Sequence, residues 1–382
     1  MSTLSRDEIL RYSRHLVMPE ITLAGQERLK AARVLCVGAG GLGSPLLLYL
    51  AAAGVGTIGV VEYDKVDLSN IQRQILYATS DVGRPKIEVA GSRLGALNPG
   101  IRIVPHAGKL TAANAAGIIR DYDIVADASD NFPTRYLVND VCVLTGTPDV
   151  YASVFRFEGQ LSVFDARRGP CYRCLFPEPP PPGLVPACAD GGVLGVLPGI
   201  LGTLQALEVI KLILGIGEPL VGRLLLVEAL ATSFRDIRFG KSAGCAVCGA
   251  TPTVTAPVDY EAFCGIDTAT GRSAAHDLPR VSVTQFLVRQ RAGEAGELVD
   301  LRDTPELAIA AIPGARSLPL ADLPARLHEL DSARHYTLCC HRGERSVEAF
   351  YLLWKAGFRR LDILDGGIDA WAEQGDGRVA RY

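Results

Sequence analysis

A short apolar run, Arg33-Val-Leu-Cys-Val37, ends in a glycine cluster, Gly38-Ala-Gly40-Gly41-Leu-Gly43, and a helical pattern follows from Ser44 to Ala53. A second apolar run, Thr57 to Val61, comes next. Strand, glycine turn, helix and strand in that order predict a parallel βαβ unit, because the helix must carry the chain back along one face of a sheet. Further strands are expected at Ile101 to Val104 and at Ile124 to Ala126. At 382 residues the chain is too long for one typical core and comfortable for two.

The texture changes near Gly249. From Ala250 to Leu278 small, polar and proline residues dominate, which reads as a linker, with Asp259-Tyr-Glu-Ala-Phe263 as a piece able to dock. After Pro279 a second α/β pattern begins, with strands near Leu298 to Leu301 and Tyr336 to Cys339. The expected division is therefore 1–250, a linker over 251–278, and a smaller domain over 279–382. Phe176 to Ala187 is proline-rich and should form an extended, exposed crossover loop. The apolar run Val193 to Leu214 is interrupted by Pro198, Glu208 and Lys211, so it reads as a buried or interface helix and not as a membrane span.

Hydrophobic residues at 48% with 21% charged describe a soluble globular chain, and a net charge of −3 gives no reason to expect nucleic acid or an anionic membrane as partner. The polar, amphipathic start is not a secretory signal, which points to the cytoplasm. In that setting the ten cysteines are better read as metal ligands and reactive thiols than as disulfides.

The glycine cluster fits G-x-G-x-x-G between a strand and a helix, where backbone N–H groups can approach phosphate at a helix N-terminus. Glu62 closes the next strand, where an acid can bind ribose hydroxyls. Taken alone, this pattern suits an NAD-dependent dehydrogenase as well as a mononucleotide enzyme. The following stretch separates the two. Ser69-Asn-Ile-Gln-Arg73-Gln74, Gly83-Arg-Pro-Lys86 and Asp127-Ala-Ser-Asp130-Asn131 put two cations and a late acid near the same turn. Adenylyl transfer needs such charges to stabilise a triphosphate in the transition state, and a hydride-transfer enzyme does not. Asp130 would then hold Mg²⁺, a hard cation bound through a carboxylate and phosphate oxygens.

With RYSRH, GxGGLG, DLSNIQRQ, GRPK, DASDN and PCYRC in this order, residues from about Leu4 to Gly249 resemble the MoeB/ThiF family of ubiquitin-activating-type adenylyltransferases. The resemblance implies a Rossmann-like α/β adenylation domain with ATP at Gly41, Glu62, Ser69, Asn70, Ile71, Gln72, Arg73, Lys86, Asp130 and Asn131. It also implies a homodimer in which Arg14 reaches the phosphates of the partner subunit. Where the family usually carries Asp, this chain has Glu62, which keeps the carboxylate and lengthens its reach.

Cys171-x-x-Cys174 and Cys245-x-x-Cys248 are two knuckles, each expected in a tight turn, that together supply four thiolates for a closed structural zinc site. A redox pair is the alternative, but neither knuckle opens a helix after a thioredoxin-like strand. Cys188 ends the proline-rich loop and is placed to meet a large protein substrate. Members of the family with a fused C-terminal domain carry a reactive cysteine at the matching position. Cys36 and Cys142 lie in apolar patterns and read as core, and Cys264 has no evident role.

Cys340-His-Arg-Gly343-Glu-Arg345-Ser346 leaves a strand and enters an amphipathic helix expected over Val347 to Ala356. A helix N-terminus and an arginine stabilise a thiolate, and the same cradle suits a persulfide. With Asp300-Leu-Arg302, Glu306, Ile312-Pro-Gly-Ala315, Gly366-Gly367 and Trp371, the stretch from Pro279 onward is similar to a rhodanese domain. Ala311 stands where histidine often precedes the IPGA motif. Cys339 offers a rival nucleophile with phosphatase-loop spacing, but strand alternation lets one cysteine of the pair face the loop, and the Gly343 and Arg345 offsets agree with Cys340.

The combined order resembles MoeZ-type adenylyltransferase/sulfurtransferases. That resemblance implies ATP, Mg²⁺ and Zn²⁺ as cofactors and, as partner, a ubiquitin-like sulfur-carrier protein ending in Gly-Gly. A persulfide donor, either thiosulfate or a cysteine desulfurase, would load Cys340, and Cys188 would form a thioester or resolve an acyl disulfide. The rival readings are an activator that conjugates a modifier through a Cys188 thioester, a Rossmann oxidoreductase with a vestigial second domain, and a non-catalytic scaffold.

Overall fold

Strand β1 (Arg33–Val37) is buried from Val34 onward, which explains why it reads as a continuous apolar run and not as an alternating one. It lies in the parallel half of an eight-stranded sheet with β2 (Thr57–Glu62), β3 (Arg102–Ala107), β4 (Ile124–Asp127) and β5 (Asp149–Phe155). The remaining strands, β6 (Glu158–Phe164), β7 (Arg223–Glu228) and β8 (Ser233–Arg238), are antiparallel, and the full order is β3-β2-β1-β4-β5-β6-β7-β8. The structure is a computed structural model describing residues 4–180, 192–267, 272–273, 278–375 and 377–382. β3 runs three residues past its expected end, pairing His106 and Ala107 with Val61 and Glu62.

The strand order reverses between β1 and β4, since β1 continues into β2 on one side while β4 pairs on the other. Such a switch leaves a crevice at the C-terminal ends of the two strands. The crossover helix Gly43–Ala53 buries Leu46, Leu47, Leu50 and Ala51 and stops at Gly54, whose φ of 83° ends it. By length and composition alone, the helix Val196–Leu214 could cross a membrane. Here Leu197, Leu201, Gln205 and Val209 are buried where it packs on Gly43–Ala53, β5 and β6. Gly202 permits that approach, because a Cβ there would stand 2.2 Å from the Leu42 carbonyl oxygen.

Two compact units make up the chain, and the described part of the first extends to Phe263. The expected docking piece is a one-turn helix, Tyr260–Phe263, held on this first unit. The Tyr260 hydroxyl donates to Asp140 Oδ2 at 3.0 Å, and the Phe263 ring meets Tyr136 edge-on at 5.1 Å.

The second unit includes the short antiparallel pair β9 (Ile266–Asp267) and β10 (Arg272–Ser273). Its main sheet contains β11 (Arg280–Val281), β12 (Glu297–Asp300), β13 (Arg316–Ser317), β14 (Tyr336–Cys339) and β15 (Leu361–Leu364). These are parallel in the order β11-β15-β14-β12-β13. Apolar side chains cover both faces: Val299, Leu338, Phe350 and Leu353 in one cluster, Val281, Phe286, Leu364 and Trp371 in the other. The helix after β14 is Glu344–Lys355, three residues earlier than expected. Gly343, at φ 108°, turns the chain so tightly that Glu344 already opens the helix.

Candidate functional site

Gly38 follows β1 at φ 95°, and a Cβ there would meet the Ala128 carbonyl oxygen at 3.0 Å. A Cβ on Gly43 would fall 2.1 Å from the Gly38 carbonyl oxygen. These two glycines close a tight turn at the N-terminus of helix Gly43–Ala53, in which Ser44 N–H donates to the Gly40 carbonyl at 2.9 Å. Gly41 is packed by Pro198 and by the Arg73 stem, with a virtual Cβ 3.3 and 3.5 Å away. Gln74 is buried beside the loop, its Oε1 without a hydrogen-bond partner among the described residues, as suits a floor built for a polar ligand.

Glu62 is folded back under this turn. Its Oε2 accepts from Ala39 N–H at 3.0 Å, and its Oε1 accepts from the N–H groups of Tyr63 and Asp64 at 2.8 and 2.9 Å. Lys86 is buried, and its ammonium lies 3.2 Å from the half-exposed Asp64 carboxylate. Asp64, two residues beyond Glu62, carries no motif signal of its own, and only the fold brings it to Lys86. Arg73 donates to the Ser69 carbonyl at 3.1 Å. Ser69 in turn is held by Asp67, which accepts from its N–H and its hydroxyl at 2.8 and 2.5 Å. Asn70 and Ile71 are half-buried, and Gln72 abuts Gly195 at the start of helix Val196–Leu214. Asp130 is exposed. Asn131 caps helix Phe132–Thr145 by accepting from Thr134 N–H at 3.0 Å through its side-chain oxygen, and its amide nitrogen lies 3.4 Å from Asp130 Oδ1. In RYSRH, Tyr12 and His15 are internal braces, bonded to Asn98 and Gln26, while Arg14 is exposed.

The sulfur atoms of Cys171, Cys174, Cys245 and Cys248 all lie within 4.8 Å of one another. Individual separations are 3.9 Å (Cys171–Cys174), 3.6 Å (Cys171–Cys245) and 3.4 Å (Cys174–Cys248). Four thiolates around one tetrahedral zinc stand about 3.8 Å apart, so the set fits that ion and leaves no open position. Burial works against the Cys245 thiolate, but the N–H groups of Cys248 and Val247 outweigh it and lower its pKa. Cys171 is pushed up by burial and by its three neighbours, and burial takes Cys248 up to about 12. Ser242 N–H donates to Cys174 Sγ at 3.4 Å, a support typical of metal-binding thiolates. The first knuckle is not a bare turn: Cys171 caps the short helix Tyr172–Leu175. Within it Arg173 forks onto buried Asp140 at 2.8 Å through two nitrogens, the same carboxylate that takes Tyr260.

In the second unit, alternation separates the two adjacent cysteines. Cys339 joins the cluster of Val281, Phe286 and Trp371, whereas Cys340 joins that of Leu338 and Phe350. Burial pushes the Cys339 thiol far above its ordinary range. Gly343 N–H, by contrast, donates to Cys340 Sγ at 3.1 Å. Arg345 lies in the first turn of the helix, not in the loop, and forks onto Glu306 at 2.6 and 2.7 Å. That pairing holds Glu306 below the usual carboxylate range against the burial that would raise it. Cys188 lies outside the described residues. Cys36 and Cys142 are buried, and burial pushes both thiols up, as inert core residues require.

A mixed sheet whose parallel half carries a glycine turn at a switch-point crevice, with a second, parallel sheet whose Gly343 N–H meets a strand-end sulfur, is the architecture of a nucleotidyltransferase coupled to a sulfurtransferase. The ThiF family matches residues 12–247, and the Rhodanese-like domain matches residues 282–374. The chain is 48% identical to "Probable adenylyltransferase/sulfurtransferase MoeZ" of Mycobacterium tuberculosis, over 98% of this chain and 95% of that protein. It is 55% identical to the "Sulfur carrier protein adenylyltransferase" of Thermus thermophilus, over 69% of this chain and 98% of that one. Among solved structures, E. coli MccB superposes with a TM-score of 0.57 at 24% identity, covering 63% of this chain and 74% of that chain, a likeness of fold. The chain belongs to the ThiF family, as an adenylyltransferase and sulfurtransferase of the MoeZ type with a C-terminal rhodanese-like domain. ATP use follows from that membership.

Proposed function

We propose that the chain adenylates the C-terminal Gly-Gly carboxylate of a ubiquitin-like sulfur-carrier protein and then sulfurates it from a persulfide on Cys340. The carrier carboxylate attacks the α-phosphate of ATP, giving an acyl-adenylate and pyrophosphate. The terminal persulfide sulfur of Cys340 attacks that acyl carbon and expels AMP. A second thiol, for which Cys188 is the candidate within the chain, then takes the Cys340 sulfur into a disulfide and releases the carrier as a thiocarboxylate. The name of the Thermus thermophilus relative supports a sulfur carrier as substrate. The observation that carries the sulfur step is the Gly343 N–H held 3.1 Å from Cys340 Sγ, because a backbone donor at that place stabilises a sulfur anion.

In this reading Lys86 and Arg73 neutralise charge on the triphosphate, Asp130 holds Mg²⁺ with Asn131 beside it, and Gly41, Glu62, Ser69, Asn70, Ile71 and Gln72 line the nucleotide. Zinc, bound by Cys171, Cys174, Cys245 and Cys248, would tie together segments 74 residues apart. Residues 1–250 perform the adenylation and 279–382 the sulfur transfer, joined by 251–278, with thiosulfate or a cysteine desulfurase as outside donor. Arg14 acts on the partner subunit of a cytoplasmic homodimer. The exposed apolar stripe Val196, Ile200 and Leu207 on one face of its helix supports such an association. The test is ATP–pyrophosphate exchange with purified Gly-Gly-ended carriers, followed by mass spectrometry for replacement of one oxygen by sulfur. Exchange should require the carrier and ignore NAD, and exchange independent of every carrier would remove the reading.

A further inference from the structure

Tyr382 returns to the Cys340 loop from a distant part of the second unit. Its ring stacks on His341, the residue after the cysteine, with centroids 4.7 Å apart and planes 3° from parallel. His341 Nε2 lies 3.1 Å from the Tyr382 backbone oxygen. The phenol hydroxyl accepts from Arg302 Nη1 at 2.7 Å and donates to Glu306 Oε1 at 3.2 Å. Each of these partners is committed on its other side. Arg302, fully buried, bonds Asp300 at 2.9 and 2.5 Å, and Glu306 holds Arg345. A polar chain Asp300–Arg302–Tyr382–Glu306–Arg345 therefore joins the end of β12 to the first turn of helix Glu344–Lys355.

A hydroxyl is the group this position requires. Arg302 can only donate and ionised Glu306 can only accept, so they can share a bridging atom only if it does both. Burial raises the Tyr382 phenol above its usual range although Arg302 opposes this, so the hydroxyl keeps the proton it donates. The stacked ring and the hydroxyl thus act on two sides of the Cys340–Gly343 turn, which follows β14 at one end and enters the helix bearing Arg345 at the other.

We propose that Tyr382 is a positioning residue of the sulfur-transfer centre, whose ring holds His341 and whose hydroxyl holds the Glu306–Arg345 pair, so that Gly343 N–H stays on the Cys340 sulfur. This rests on the reading that Cys340 carries the persulfide. The experiment uses the full chain with thiosulfate and cyanide. Cys340 thiolate displaces sulfite from thiosulfate and becomes a persulfide, which passes its outer sulfur to cyanide as thiocyanate. Tyr382→Phe keeps the ring and loses the bridge, while Tyr382→Ala loses both. Losing the bridging hydroxyl, and with it both hydrogen bonds, should lower kcat about 5-fold in Tyr382→Phe, with KM for thiosulfate within about twofold of wild type. Tyr382→Ala should fall about 30-fold, so that phenylalanine rescues part of the loss, and carrier-dependent pyrophosphate exchange should stay at wild-type level in both. Two results overturn the proposal alone: Cys340-dependent turnover within about twofold of wild type in both variants, or losses that vanish once kcat is corrected for the folded fraction measured by near-UV circular dichroism. Turnover that survives Cys340→Ala overturns the persulfide reading and this proposal with it.

Discussion

After β1 the chain turns through Gly38 to Gly43, and after β14 it turns through Cys340 to Gly343. Each turn leaves a parallel strand that lies third in its sheet order and runs into a helix, so each ends at a helix N-terminus, which favours an anion. The first turn has no charged or sulfur-bearing side chain of its own. Gly38 and Gly43 touch backbone, and the charges the proposed function assigns to it come from elsewhere: Lys86 from another helix, Arg73 from an irregular segment, Asp130 from beyond β4. The second turn carries its own thiol, Cys340, only 1% exposed, beside a closed set of Arg345, Glu306, Tyr382 and Arg302. A bulky, mobile substrate such as a triphosphate needs an open floor with charges at its rim. One sulfur atom needs a small cradle that keeps its shape while the atom comes and goes. On the proposed function, the same local backbone physics serves activation in one unit and storage in the other.

The largest way to break the comparison is Cys340→Ala. It should abolish both thiosulfate sulfur transfer and thiocarboxylate formation while leaving carrier-dependent pyrophosphate exchange intact; parallel assays of one preparation decide it. Lys86→Ala attacks the open turn instead. Removing one preorganised charge typically costs on the order of 10²–10³ in rate, so exchange should fall by that factor with sulfur transfer to cyanide unchanged. Equal losses in both assays would mean that the two turns are not independent.

Cys171→Ser should reduce bound zinc from about one per chain to none, as elemental analysis would read. It should lower the Tm of the first unit by at least about 5 °C, equivalent to ~2 kcal/mol for a unit of this size. Wild-type zinc content and Tm would show that the four-sulfur cluster does not bind the ion. The smallest expected effect concerns the closed turn. Glu306 has its pKa lowered on folding, so the Arg345 pair stabilises fully above the unfolded value of ~4.3 and is lost as the pH falls through the lower folded value. Glu306→Gln should therefore cost about 1–2 kcal/mol near neutrality, and its difference from wild type should shrink below pH ~4. Denaturant melts at both pH values would show it, and a constant difference would remove Glu306 as the titrating partner.

Much of this was legible before any tertiary information, because it lies in neighbours along the chain. G-x-G-x-x-G after an apolar run, paired C-x₂-C knuckles and C-x-x-G-x-R are local backbone chemistry, and their spacing is read directly along the chain. The limits were equally physical. The helix after Cys340 was expected to begin at the first apolar residue of its face, Val347, whereas the left-handed Gly343 starts it at Glu344. Asn131 carries the sequence signal of a site residue, yet its carbonyl oxygen caps a helix, a use the motif does not distinguish.

By itself the sequence determined the parallel βαβ start of the first unit, the α/β character of the second, the open turn, the four thiols and the family, since each follows from residue types at fixed short offsets. The tertiary structure decided the pairings: Lys86 with Asp64, Arg345 with Glu306, Arg173 with Asp140, and Tyr382 with His341 and Arg302. It also decided on which side of the sheet Cys340 lies, because a one-residue shift in register would have exchanged it with Cys339. The physical reason is range. Backbone geometry is settled by adjacent residues, whereas a charge finds its partner only after packing has brought distant segments within hydrogen-bonding reach.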